Sequence, residues 1–165
     1  MRHRFHSTPV GEYVLTVDDD DALTGLYRLD QKHLPPDERL GVLDRCAGAA
    51  VVSQLDEYFA GTRHTFDVRL AARGTPFQHA VWEALMDIPY ARTATYGELA
   101  ASLGRPTASR AVGGATGRNP ISIIVPCHRL VGSTGQLIGY AGGAATKQLL
   151  LDHERRIADV AEQER

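Results

Sequence analysis

Cysteine is scarce in this sequence, which has two among 165 residues, Cys46 and Cys127. Two cysteines are too few for a disulfide framework, and free thiols suit a reducing, cytoplasmic compartment. No apolar run approaches the roughly 20 residues of a membrane-spanning helix, and the opening MRHRFHS lacks the apolar stretch of a secretory signal. With 43% hydrophobic and 23% charged residues, the composition predicts a globular protein of one or two compact domains without membrane contact.

Grouped metal ligands are also missing, since neither a CxxC nor an HxxxH spacing occurs. Four consecutive aspartates, residues 18–21, do not fit an EF-hand loop. Ala22 would take its fifth position, and no glycine stands at the sixth. They predict instead a hairpin turn between β-rich segments at 13–17 and 23–29. We expect neither a metal nor a cofactor.

Charge is distributed unevenly along the chain, although the formal net charge is only −2. Residues 1–60 carry 6 basic and 11 acidic side chains, whereas residues 61–155 carry 10 basic and 6 acidic ones. A basic second part is a weak indication of contact with nucleic acid.

The first part of the chain predicts β structure followed by a helix. Residues 4–29 have strand composition, and Pro35-Pro36 then opens a helical pattern from about Asp37 to Ala60. Cys46 falls in the middle of that helix and is interpreted as a buried structural thiol. A short strand at 66–70 and a linker at 71–74 follow.

The second part begins with two helix-start signals. Thr75 and Thr95 each open a capping box, predicting helices from 75 to 88, with Trp82 in the core, and from 95 to about 102. A turn at 103–106 leads to a third helix, 107–117, so that the last two fit a helix-turn-helix. The third helix is rich in glycine and alanine, and Arg110 is its only long side chain. This composition favours either close backbone approach to a bulky partner or a helix–helix contact.

Cys127 is the strongest candidate for chemistry. An apolar segment, 121–125, is predicted as a buried strand that ends at Pro126 and delivers Cys127, His128 and Arg129. A thiolate is a strong nucleophile, and cationic neighbours lower its pKa. The residues alone leave open a cysteine hydrolase, a redox thiol and a structural cysteine, while a zinc site is poorly supported.

Three features follow Cys127: a turn at 132–135, a glycine-rich loop at 139–143, and a final helix from about Ala144 to Arg155 with a frayed polar tail, 156–165. Lys147 and Glu154 lie on one side of that helix at helical spacing. Glu154 is predicted in the last turn, where a carboxylate opposes the helix dipole.

Taken in order, the segments Thr95–Ala100, Arg110–Ala115, Asn119–Arg129, Gly139–Gly143 and Lys147–Glu154 resemble the O6-alkylguanine-DNA alkyltransferases. The resemblance covers about Gly74 to Glu154. It implies a protein that binds duplex DNA through the helix-turn-helix, flips out O6-alkylated guanine, and moves the alkyl group irreversibly onto Cys127. Such a protein works as a single-turnover methyltransferase, as a monomer, with cooperative assembly on DNA left open.

The resemblance also implies individual roles. His128 takes the proton of Cys127 through a water, Glu154 orients His128, Asn119 braces the turn, and Tyr96 assists the departing guanine. Arg110 fills the gap left by the flipped nucleotide, and small or basic neighbours approach the DNA: Ala111, Gly113, Gly114, Ala115 and Arg118. For Arg118 and Arg129, phosphate contact and structural pairing are both open. The base pocket is formed by Val125, Pro126, Val131, Ile138, Gly139, Tyr140 and Ala141.

Three positions depart from the family pattern, of which Leu130, in place of the more usual valine after Arg129, is a mild change. Ile138 stands where a small or hydroxylated residue is usual and predicts a narrower alkyl pocket, and Ala141 lacks a hydroxyl that some relatives offer to the base. The sequence predicts an α/β protein with an N-terminal domain of sheet and helix, 1–70, and a mostly helical C-terminal domain, 75–155. The alternatives are a lesion-binding protein without transfer activity and a cysteine hydrolase unrelated to DNA.

Overall fold

The computed structural model describes residues 1–165, which divide into two compact units. The first comprises Met1–Arg73 and Pro120–Ile124, and the second comprises Gly74–Asn119 and Val125–Arg165. The predicted mixture of strands and helices is confirmed. None of the helices has the length and apolar character needed to cross a membrane.

The first unit is built on a four-stranded sheet in the order β3-β2-β1-β4. Its strands are β1 (Arg2–Thr8), β2 (Gly11–Val17), β3 (Leu23–Arg28) and β4 (Val42–Leu43). β1, β2 and β3 form an antiparallel meander, and β4 pairs with β1 in parallel. The predicted aspartate turn is confirmed, because Asp18–Asp21 link β2 to β3 and the Asp18 carboxylate accepts the amides of Asp20 and Ala22. Helix α1 (Ala49–Ala60) buries Val51, Val52, Leu55 and Tyr58.

The predicted helix from Asp37 to Ala60 is wrong in its first half. Between residue 37 and the start of α1, the structure has only a 3₁₀ turn, Asp37–Arg39, and the short strand β4. Gly41 and Gly48 lie in the left-handed region, at φ +83° and +59°, and interrupt the helical path that the apolar spacing suggests. Cys46 is therefore exposed in a turn rather than buried in a helix.

Two predicted strands are also absent. Residues 66–70 form only an isolated bridge at Leu70, and residues 121–125 only one at Ile121, which pairs with Leu26 of β3. In the second case Ile123 has φ +70°, and the Ile124 amide donates to the Ser122 carbonyl over 2.8 Å. The apolar segment is buried as expected, but a tight turn replaces the strand.

The second unit consists of helices and one small parallel sheet. The helices are α2 (Pro76–Met86), α3 (Tyr96–Ser102), α4 (Ser109–Gly117) and α5 (Gly143–Gln163), and the sheet pairs β5 (Ala94–Thr95) with β6 (Leu130–Val131). Both predicted capping boxes are present. Trp82 is a core residue as predicted, and its Nε1 donates to the Ala115 carbonyl over 2.9 Å. The tail prediction is wrong, because α5 continues to Gln163 and Glu154 lies near its middle.

Candidate active site

The small sheet brings Tyr96 and Cys127 into one site. Thr95 is the last residue of β5 and the N-cap of α3, so Tyr96 begins that helix. Thr95 pairs with Val131 of β6. The 3₁₀ turn Cys127–Arg129 leads directly into β6, and the Cys127 amide donates to the Val125 carbonyl over 2.8 Å. The pairing of β5 with β6 thus brings together Tyr96 and Cys127, which are 31 residues apart in sequence.

Asn119 braces the turn that carries the cysteine. Its side-chain amide donates to the Val125 carbonyl over 2.9 Å and to Cys127 Sγ over 3.1 Å. Both Asn119 and Cys127 are almost wholly buried. A donor directed at sulfur favours the anionic form of the thiol, so the Asn119 hydrogen bond lowers the pKa that burial of Cys127 raises.

His128 and Glu154 form a hydrogen-bonded pair with no solvent access. His128 Nε2 lies 2.7 Å from Glu154 Oε1, and both side chains are 0% exposed. His128 Nδ1 is buried and has no hydrogen-bond partner in the protein. If Nε2 carries the proton donated to the carboxylate, Nδ1 presents a bare lone pair and can accept a proton.

The charge states in this resting site differ from those expected from sequence. Burial raises the pKa of the Cys127 thiol, although the Asn119 hydrogen bond and the charge of Lys147 act in the opposite direction. Burial likewise lowers the pKa of His128, against the pull of Glu154. The resting pair at neutral pH is therefore a neutral thiol and a neutral imidazole, not a preformed thiolate. A base must remove the thiol proton when the reaction occurs.

Lys147 is a member of the site to which the sequence assigned no role. It is fully buried in α5, and its Nζ donates to the carbonyl of Leu130 and, over 3.1 Å, to that of Ile138. Nζ also lies 6.0 Å from the ring centroids of Tyr96 and Tyr140. Burial lowers the pKa of Lys147 to about 8, and Cys127 opposes the shift. A lysine among apolar residues at helical spacing is the only signal that could have revealed it.

For the alkyl transfer that the resemblance implies, we expect Lys147→Met to slow the reaction with free O6-benzylguanine roughly tenfold to hundredfold, because the thiolate of Cys127 would lose a cation that favours it. In the native protein Lys147 loses its proton near pH 8, but in the unfolded chain only near 10.5. Between these values the unfolded state binds more protons, so wild-type stability gains on the order of 2 kcal/mol relative to the variant as pH rises. Denaturant unfolding at pH 7.5 and 10 measures this difference.

Lys32, the other lysine in the chain, is exposed and provides the control. Lys32→Met should leave both the transfer rate and the pH dependence of stability unchanged. A Lys147→Met protein with a wild-type rate would exclude an electrostatic role for this lysine.

A cavity of about 300 Å³ opens beside Tyr96. Its lining is almost entirely apolar and comprises Tyr96, Ser109, Arg110, Gly113, Ile138 and Gly139. The Tyr96 hydroxyl donates to the Ile138 carbonyl over 2.6 Å, and burial raises the pKa of Tyr96 to about 12. Gly139 has φ +72°, and a Cβ there would lie 2.6 Å from the Tyr96 hydroxyl oxygen. Glycine is thus required where the loop crosses Tyr96.

For the alkyl transfer that the resemblance implies, Ile138→Gly is expected to increase the rate with O6-benzylguanine relative to that with O6-methylguanine by roughly tenfold. Differences of this size are typical when an apolar pocket gains or loses room for methylene groups. The Ile138 side chain is 55% exposed at the cavity, so its removal should change stability little. Competition between the two adducts measures the ratio. Ile138→Ala separates lost side-chain volume from added backbone freedom, and an unchanged ratio in both variants would show that Ile138 does not restrict the pocket.

The remaining predicted pocket residues do not line this cavity. Ile138 and Gly139 do, whereas Val125, Pro126, Val131 and Tyr140 are buried behind the surface and Ala141 is half-buried. Val125 and Pro126 directly precede Cys127, and Val131 pairs with Thr95, the residue before Tyr96. The assignment of all seven residues to the base pocket stays a prediction.

Helix α4 separates the predicted DNA-contacting residues into two faces. Arg110, Ala111 and Gly114 are exposed, and Gly113 is half-buried against the Tyr96 ring. Ala115 is 5% exposed, and its inward position corrects its assignment to the contact surface. The helical repeat places it with Val112 and Thr116 against the core. Arg118 is exposed at the end of the helix.

No three histidine, cysteine, aspartate or glutamate side chains are grouped as metal ligands would be. The buried polar residues of the site instead satisfy one another: Asn119 with Cys127, and His128 and Arg129 with Glu154. Arg129 is thus paired inside the protein rather than available to a phosphate. The arrangement places a thiol, an imidazole and a lysine together in the protein interior.

Comparison with known proteins places these features in a family. Residues 76–156 match the family described as 6-O-methylguanine DNA methyltransferase, DNA binding domain. The methylated-DNA–protein-cysteine methyltransferase of Mycobacterium leprae is 48% identical over 153 residues, or 92% of this chain and 91% of the relative. The protein of that name from Mycolicibacterium paratuberculosis is 46% identical over 94% of this chain and 93% of its own.

Solved structures agree with the sequence comparison. Mycobacterium tuberculosis OGT, crystallised in complex with DNA, superimposes with a TM-score of 0.88 at 44% identity, covering 95% of this chain and 94% of that protein. The likeness spans both units. The chain therefore belongs to the methylated-DNA–protein-cysteine methyltransferase family.

Proposed function

We propose that this protein repairs duplex DNA by transferring the alkyl group of O6-alkylguanine to Cys127, irreversibly and once per chain. The observation that carries the proposal is the buried constellation of Asn119, Cys127, His128 and Glu154 in a member of this family. A thiol that must work without a cofactor needs a donor, a base and an orienting carboxylate, and these residues supply all three.

In the proposed reaction His128 Nδ1 accepts the thiol proton through a water, while Nε2 keeps its hydrogen bond to Glu154. Sγ attacks the alkyl carbon, forming a carbon–sulfur bond as the bond from that carbon to O6 breaks. The electron pair remains on the guanine. Tyr96, which holds its proton well above neutral pH, exchanges the Ile138 carbonyl for the departing purine and stabilises it as a hydrogen-bond donor.

The product explains why the protein would act only once. Sulfur leaves the reaction as an uncharged thioether, which no group in the site can hydrolyse. Because the thioether is uncharged, it does not need the Lys147 charge or the Asn119 hydrogen bond that stabilise the thiolate. The free, non-disulfide cysteine that this chemistry requires supports action in the cytoplasm.

Access to the lesion is proposed to occur through α4. Its exposed face is smooth at Ala111 and Gly114, so the DNA backbone can approach closely, while Arg110 projects from the rim of the cavity. Arg110 has no hydrogen bond or ion pair within the protein, which leaves it available to occupy the space of an extruded nucleotide. Flipping costs a few kcal/mol, and such a filler offsets part of that cost.

Arg110→Ala should therefore lower the repair rate on duplex DNA by roughly 10²-fold while changing the reaction with free O6-benzylguanine less than about threefold. Arg118→Ala, at the end of the same helix, serves as the comparison. If Arg118 contacts a phosphate, its loss weakens binding in a salt-dependent manner without affecting extrusion. Equal losses on both substrates in Arg110→Ala would contradict a role in flipping.

The function itself is tested by intact mass. Wild-type protein incubated with duplex DNA containing O6-methylguanine should gain one methyl group per chain, located on the Cys127 peptide, and gain none with undamaged duplex. A lesion-binding protein would gain no mass while still retarding the damaged duplex. A cysteine hydrolase would be indifferent to the lesion and would turn over an ester repeatedly.

A further inference from the structure

The carboxylate of Glu154 has more partners than the orientation of a histidine requires. Arg129 Nε donates to Oε2 over 3.0 Å, and Arg129 Nη2 donates to Oε1 over 2.9 Å, in a bidentate pair. The amide of Ala91, held at φ +57°, donates to Oε2 over 3.1 Å. Together with His128, these donors fill both oxygens of a fully buried carboxylate.

Arg129 is itself fixed in place. It is 6% exposed, its Nη1 donates to the Ile88 carbonyl over 2.8 Å, and its guanidinium lies 5.6 Å from the centroid of the Tyr90 ring. An arginine in this setting remains charged at every relevant pH. The negative charge of Glu154 is therefore balanced by Arg129 before His128 is considered.

Burial is the main cause of the lowered pKa of His128, and the Arg129–Glu154 pairing supports it by limiting the opposing pull of the carboxylate. The charged and titratable groups that act on His128 are Glu154, Arg129 and Lys147, and two of these three are cations. If Glu154 were unpaired, its full negative charge 2.7 Å from Nε2 would favour a protonated imidazole, which has no lone pair to offer. A protonated His128 would be unable to accept the proton of Cys127.

We infer that Arg129 is a positioning residue of the transfer reaction, which holds the charge of Glu154 so that His128 rests as the neutral base. The inference depends on the proposed function, because it assigns the proton acceptor of that reaction. Arg129 touches neither substrate nor sulfur in this assignment and acts only through Glu154 and His128. The bidentate geometry is essential, because one guanidinium occupies a position on each carboxylate oxygen and leaves room for one imidazole N–H.

The test is the protonation state of His128 in unreacted protein, read from side-chain ¹⁵N chemical shifts. The resonance is assigned among the seven histidines by its absence in His128→Gln. Wild type at pH 7 should show one protonated and one bare ring nitrogen. Arg129→Met should show an imidazolium at pH 7, with its titration moved upward by more than one pH unit, and transfer from O6-benzylguanine should fall at least about tenfold at pH 7 and recover at higher pH.

Unlike Arg129→Met, Arg129→Lys keeps a positive charge, but it lacks the guanidinium that makes two parallel hydrogen bonds to Glu154. It should keep His128 neutral at pH 7 and give a rate between those of wild type and Arg129→Met. A purely structural role predicts lower thermal stability in both variants with an unchanged His128 titration, and that result would overturn the inference. If Arg129→Met does not fold, Arg129→Gln supplies the same comparison, and an imidazolium at pH 7 in the wild type overturns the inference by itself. An upward shift of the His128 titration in the variant, found for a protein that transfers no alkyl group, would refute the proposed function and leave the charge balance upheld.

Discussion

Cys127→Ser is expected to lose alkyl transfer by at least about four orders of magnitude, as other enzymes do when their nucleophile is removed. A serine hydroxyl is far less acidic than a thiol, and the site has no means of ionising it beyond His128. The Asn119 amide can still donate to the serine oxygen, so the turn should keep its shape. Binding of lesion-containing duplex should persist, because Arg110 and α4 are unaltered.

Intact mass and an electrophoretic mobility assay on the same samples measure the two properties separately. Cys46→Ser is the matched control, since Cys46 is exposed and lies outside the site. It should accept one alkyl group as the wild type does. Uptake of an alkyl group by Cys127→Ser, or its loss in Cys46→Ser, would show that a different residue is the acceptor.

His128→Gln is expected to reduce the transfer rate at pH 7 by roughly 10²- to 10⁴-fold. Glutamine can donate an N–H to Glu154 as His128 does, but it cannot accept a proton. In the wild type the lowered pKa of His128 keeps the base neutral, so the rate should hold from pH 8 to about pH 6.5 and fall at more acidic pH as the imidazole is protonated.

The transfer rate of His128→Gln should depend on pH in the opposite way. Without a base, the thiolate forms only as the medium becomes alkaline, because burial raises the pKa of Cys127. The rate should rise nearly tenfold for each pH unit above 7. Stopped-flow measurements with O6-benzylguanine from pH 6 to 9 record both profiles. A flat profile in His128→Gln would exclude His128 as the base.

Local signals in the sequence predicted much of the second unit correctly. The capping boxes at Thr75 and Thr95 and the turn after Leu103 depend on interactions within four residues, and such interactions form wherever the chain goes. The order of motifs from Tyr96 to Glu154 likewise carried the resemblance to the family. Function was therefore accessible before any contact between distant residues was known.

The errors arose where apolar spacing was interpreted without its context. Residues 37–48 have helical periodicity, yet Gly41 and Gly48 adopt left-handed conformations, and Arg2 of the neighbouring strand β1 donates to Asp44 over 2.8 Å. The apolar run before Cys127 has strand composition, yet it makes a turn whose hydrogen bonds go to β3. In both segments, partners remote in sequence outweighed local propensity.

The sequence by itself determined the helix starts and predicted the nucleophile and its adjacent base, because capping signals and neighbours along the chain are encoded locally. Only the tertiary structure decided the electrostatics of the site. Desolvation depends on everything that surrounds a group, so burial leaves Cys127 protonated and His128 neutral. Lys147 reaches the site from a remote position in α5, whereas Arg129, two residues after Cys127, is directed onto Glu154. Burial opposes the charge of Glu154, and this carboxylate is ionised because it accepts hydrogen bonds from His128 and Arg129 in the interior, not because of its place along a helix.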